Sequence, residues 1–159
     1  MGSLFVNVPS LNQWTPCNFR HRIPNIDYVL IIVELGEIAF LCLLEQAYYE
    51  SLLLVQRRID EGHGDVVPRD FYIRARGVTA IVLRYAMEPS PHPPTNRDLL
   101  KVFETLWYVT ANKDYSKPNP VFSRETKFGL AFDDGPNKYW TGKGVVQWFG
   151  SDSQLFASS

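Results

Sequence analysis

Cysteine is nearly missing from this sequence: Cys17 and Cys42 are the only two among 159 residues. Two thiols are too few for a disulfide scaffold, and Cys42, set in an apolar run, reads as a small core residue. No Asn-x-Ser/Thr sequon occurs. Both features favour a reducing, cytoplasmic compartment over secretion. A basic excess is also missing, with Lys+Arg 16 against Asp+Glu 17. Proteins that hold nucleic acid by neutralising phosphates carry such an excess, and so do polybasic membrane surfaces, so neither nucleic acid nor a membrane is the expected partner. The opening residues, Met1-Gly2-Ser3-Leu4-Phe5-Val6, lack a basic stretch and a long apolar run, and no signal peptide is expected. Val6 stands where a myristoylation motif wants Ser or Thr. The most apolar stretch, residues 28–44, contains Glu34 and Glu37 and is interrupted by Gly36. Carboxylates are costly in lipid, so this stretch suits a buried element rather than a membrane span.

The motifs of common chemistries are missing too. There is no P-loop, Gly-rich dinucleotide turn, H-E-x-x-H, EF-hand loop or G-x-S-x-G elbow. This removes the usual nucleotide, metal and nucleophile templates, and no cofactor is expected. No repeat of solenoid type is present.

What remains is a chain of one-domain length with 45% hydrophobic residues, enough for a real core. Aromatics reach 14%, which implies a large aromatic core or stacking surfaces for a sugar, a flat ligand or a partner. Residues 1–26 hold Pro9, Pro16 and Pro24 and read as an extended lead-in that docks through Phe5, Leu11 and Trp14. From Asp27, a possible cap, a helical pattern runs to Glu61, with Leu41, Leu44, Tyr48, Leu52 and Val55 on one face. Its first part, residues 28–35, is rich in β-branched residues and fits a strand equally. Gly62 stops the helix as a glycine beyond the last turn does. Residues 71–74 and 78–87 read as two strands, the second apolar on both faces. Thr95, with Asp98 three residues on, opens a second helix carrying Leu99, Val102, Phe103, Leu106 and Val109. Phe128, Leu130 and Phe132 alternate in a strand, Asp134-Gly135-Pro136-Asn137 turns, and residues 138–148 return, with Gly142 and Gly144 marking a bulge or close approach. The tail from 151 is Ser-rich. The expected fold is α+β: two helices packed on one face of a mostly antiparallel sheet, in the order helix, hairpin, helix, hairpin.

Several of these segments occur together in a pattern: Gly62-His63-Gly64-Asp65-Val66-Val67-Pro68 after a helix, Gly77-Val78-Thr79-Ala80-Ile81-Val82-Leu83, Leu99-Leu100 with Leu106-Trp107, Phe128-Gly129-Leu130-Ala131-Phe132-Asp133-Asp134-Gly135, and Thr141-Gly142-Lys143-Gly144. Over about residues 52–146 the chain resembles a family of small uncharacterised proteins from filamentous ascomycete fungi. The resemblance implies the same α+β fold and brings no activity, cofactor or catalytic residue with it. His63 departs from that pattern, which has Asp in the turn.

Four groups of residues are candidates for a site. His63 and Asp65, two apart beyond a helix end, could hold a metal or act as base and orienter, although a plain turn accounts for them. Asp133 and Asp134 could split acid and base roles, but before Gly135 they make a hairpin turn more readily. Arg74, Arg76 and Arg84 are interleaved with Tyr72 and Tyr85, a set able to grip a carboxylate or an aromatic ligand. Trp107, Tyr108, Tyr139, Trp140 and Trp148 could line a pocket, and strand alternation requires Tyr139 or Trp140 to be exposed. The leading expectation is a non-enzymatic binding or interaction module for an unknown protein or small molecule, able to self-associate through a sheet edge. The alternative is a cofactor-independent enzyme of cyclase, isomerase or dehydratase type with an aromatic-lined pocket, whose catalytic candidates are Tyr85, Arg84 and Asp133 before His63. A third reading is a fungal effector-like protein.

Overall fold

A computed structural model describes residues 14–68, 71–75, 79–85, 92–110 and 122–148. For residues 37–43, 74–75, 79–85, 122–123 and 148 it describes the backbone only. Six strands form one antiparallel sheet: β1 (Thr15–Arg22), β2 (Tyr28–Phe40), β3 (Phe71–Ala75), β4 (Thr79–Tyr85), β5 (Phe122–Asp133) and β6 (Lys138–Trp148), in the spatial order β1-β2-β5-β6-β4-β3. Helix α1 (Leu41–Arg58) separates the first two hairpins and α2 (Asn96–Thr110) the last two. The α+β architecture is as expected, with one hairpin added in front: hairpin, helix, hairpin, helix, hairpin.

That added hairpin corrects the reading of a helix from Asp27 to Glu61. Residues 28–40 are strand, and the helix begins only at Leu41. Tyr28, Leu30 and Ile32 enter the core beneath the helices, while Val29 and Ile31 point the other way and are buried too, 7% and 4% exposed. A strand buried on both faces reads as a continuous apolar run and loses its alternation. Asp27 caps no helix. It sits in the β1–β2 turn, where its carbonyl accepts the Asp133 N–H (2.9 Å) and its carboxylate meets Arg22 (3.2 Å). Asn25, at φ 68°, supplies the left-handed residue of that turn. Of the lead-in, Thr15–Arg22 is the edge strand of the same sheet, while Phe5 and Leu11 lie outside the described residues.

Helix α1 buries Leu44, Ala47, Tyr48, Ser51 and Val55, the three-and-four spacing of a single stripe. A wide last turn, Ile59–His63, contains Gly62 at φ 92°, which breaks the helical path. Helix α2 buries Leu99, Val102, Phe103 and Leu106. Its start is the capping box seen in the sequence: the Thr95 N–H donates to Asp98 Oδ2 (2.9 Å), and the Asp98 N–H donates to Thr95 Oγ1 (3.3 Å). Leu30, Ile32, Phe128, Leu130, Phe132 and Val146 line the sheet side of this core. Between the helices, the buried Tyr48 ring stacks on Trp107 at 5.9 Å, and its hydroxyl bonds Thr110 Oγ1, which donates to the Leu106 carbonyl (2.6 Å). Among the described residues no helix is long and apolar enough to cross a membrane.

Candidate functional site

With both described helices on one side, the other face of the sheet carries none among the described residues. Strand register assigns its rows, because directly opposed residues in an antiparallel pair share a face. Ala131 pairs with Val29 on β2 and with Trp140 on β6, and Val29 pairs with Arg22 on β1. The next row is Arg20, Ile31, Gly129 and Lys143, drawn from β1, β2, β5 and β6. A third contains Glu34, Lys127 and Val145. Continuing through Val82, that third row reaches Tyr72 at the opposite edge.

Trp140 dominates the face. Its indole leans from β6 across to β5, and its benzo edge occupies the space that a Cβ on Gly129 would fill. An aromatic laid diagonally over a strand glycine covers backbone and supports the sheet. Even so, Trp140 remains 59% exposed. A ring held at one edge and open to that extent keeps a face in solvent. The opposite end of the face is closed by another tryptophan: Lys127 Nζ lies 4.4 Å from the Trp14 ring centroid and 3.5 Å from Glu34 Oε1. Glu125 is buried there, and a Cβ on Gly36 would come within 3.0 Å of both Glu125 and Trp14. The cations of the face therefore differ. Arg22 is paired with Asp27 and Lys127 with Glu34, whereas Arg20 and Lys143 have no ion-pair partner among the described residues.

The other sequence candidates are engaged elsewhere. His63 and Asp65 belong to a clamp on the start of α2. The Arg97 N–H donates to the Gly64 carbonyl and the Asn96 N–H to the Val66 carbonyl, both at 3.0 Å. Asn96 Nδ2 donates to the His63 carbonyl (2.9 Å), and Arg97 Nε meets Asp65 Oδ1 (3.2 Å). The turn thus satisfies N–H groups that a helix start leaves open. The His63 residue is exposed, and no group of three metal-ligating side chains exists among the described residues. Asp133 and Asp134 build the β5–β6 turn: Asp133 Oδ1 accepts the Gly135 N–H (2.9 Å) and Asp134 Oδ1 the Asn137 N–H (2.9 Å). The Asn137 backbone and side-chain donors hold the Asp134 carboxyl below the usual carboxylate range.

Tyr139 and Trp140 are both exposed, because Tyr139 stands at the end of the sheet, stacked on Phe132 and tilted against His92, each at 6.2 Å. Trp107 is used between the helices, where Nε1 donates to Glu45 (3.2 Å). Tyr72 is exposed at the sheet edge. Arg74 pairs with Ala80, Arg84 with Lys143 and Tyr85 with Gly142 through the backbone, but these three side chains lie outside the described residues, as does Arg76 entirely. The bulge expected near Gly142 falls at Thr141, whose hydroxyl is buried with no hydrogen-bond partner among the described residues. Gly129, Lys143 and Arg20 were not anticipated as members of a site. The one signal was Gly129 itself, a lone glycine inside the Phe128–Phe132 alternation, which marks a close approach.

This is a small α+β protein whose two described helices cover one face of a six-stranded sheet. No family model matches the chain, and no curated protein or solved structure is significantly similar to it.

Proposed function

We propose that the chain is a small non-enzymatic binding module that receives its partner on the face of the sheet away from α1 and α2, around Trp140. One observation carries this reading: the indole is anchored at Gly129 yet more than half exposed, on a face where Arg20 and Lys143 have no ion-pair partner among the described residues. Tryptophan and arginine are enriched where proteins bind partners. Two of the chemical candidates, Asp133 and Asp65, are committed to a turn and to an ion pair. Self-association through edge strand β1 is disfavoured by its own composition. Pro16, a bulge between Pro16 and Phe19, and the cations Arg20 and Arg22 are devices that oppose strand addition.

The test is native mass spectrometry of gently purified wild-type protein beside Trp140→Leu. The expected result is a retained small molecule or an associated chain in the wild type that the variant loses while its melting temperature moves little. Identical spectra for the two proteins would contradict the proposal.

A further inference from the structure

Resting on that reading, we infer that the ligand of this face is a nucleotide, a planar heteroaromatic ring joined to one or two phosphates. Trp140 is built as a platform. A hot-spot tryptophan that anchors a protein partner projects into a pocket of that partner. Here the benzo edge of the indole reaches sideways over Gly129 instead, and more than half of the residue stays exposed, which leaves π surface to solvent. A π-face stacks on a flat ring, and every base supplies one.

The charges around the platform specify the rest. Arg20 and Lys143 stand in one register row with Ile31 and Gly129 between them. Four adjacent strands separate their backbones by about 14 Å. Both side chains are long, exposed and without ion-pair partners among the described residues, and the Trp140 benzo edge lies over the Gly129 position of that row. A ligand with a flat ring and a compact anion meets the platform and a cation together. A second copy packed face to face would set Arg20 and Lys143 against the same cations. A nucleic-acid strand would need a longer basic track than a chain of net charge −1 offers, whereas one or two phosphates need only one or two cations.

The experiment is calorimetric titration of the full chain with adenosine monophosphate, adenosine and ribose 5-phosphate, repeated on Trp140→Leu and Lys143→Glu. Adenosine monophosphate binding the wild type more tightly than either fragment, with roughly tenfold loss in each variant, is the expected outcome. Lys143→Glu changes an exposed residue and guards against a Trp140 variant that fails to fold. Equal affinity in wild type and both variants overturns the inference, and so does no binding to a wild type whose native complex still depends on Trp140. In that second case the face stands and the ligand class falls. Affinity for oligonucleotides that climbs with length would make the ligand a nucleic acid and would also overturn it.

Discussion

The benzo edge of Trp140 stands where a side chain on Gly129 would be, so glycine on β5 and tryptophan on β6 form one unit. Adding a methyl group at Gly129 forces the indole aside. Gly129→Ala is expected to fold, to lose about 1–3 kcal/mol through overpacking, and to displace the Trp140 indole N–H resonance. Urea denaturation and a two-dimensional NMR spectrum read the two effects. An unmoved indole signal would mean that the ring does not depend on the glycine.

The Thr141 hydroxyl is buried at the β6 bulge with no hydrogen-bond partner among the described residues. Thr141→Val keeps the shape and removes the unsatisfied group. Stability should stay level or rise by about 1 kcal/mol. A clear drop in the urea midpoint would show that the hydroxyl does have a partner.

The clamp between α1 and α2 separates structure from chemistry at the Gly62–Pro68 turn. Asn96, 2% exposed, donates to the His63 carbonyl, and its own oxygen lies 3.5 Å from Arg58 Nη1. Asn96→Ala is expected to cost about 1–3 kcal/mol, and His63→Ala less than about 0.5 kcal/mol. Thermal melts of the two variants check this. A large cost at His63 would restore a role for its imidazole.

Burial raises the Tyr48 pKa, and the Thr110 hydroxyl opposes that shift only in part. A group whose pKa rises on folding stabilises fully below its unfolded pKa, which for tyrosine is about 10. That contribution is lost as pH rises above about 10, where ionisation favours the unfolded chain. Tyr48→Phe should cost about 0.5–1.5 kcal/mol at neutral pH and flatten the alkaline fall in stability. Unfolding midpoints from pH 8 upward test it. An unchanged alkaline slope in the variant would assign the fall to other groups.

Legibility in the sequence followed locality. The Thr95–Asp98 box and the Gly62 stop depend on residues within one turn, and both were readable from spacing alone. Strand β2 was obscured because Val29 and Ile31 are buried on the face away from the helices, which erased the alternation. The start of α1 was hidden because the strand runs into Leu41 without a loop. Exposure of an aromatic at 139–140 followed from alternation, but its placement over Gly129 did not. That contact joins residues eleven positions apart across a bulged hairpin, and register at a bulge is not readable from pattern. Arg20 and Lys143 come together only through the strand order, which no local signal contains.

Nucleotide binding at the Trp140 face is tested most directly by the two-dimensional NMR spectrum of isotope-labelled protein with and without adenosine monophosphate. Shifts are expected at the Trp140 indole N–H and at the amides of Gly129, Ile31 and Lys143, with those of α1 and α2 unmoved. Shifts centred on the helices, or none at millimolar ligand, would contradict it.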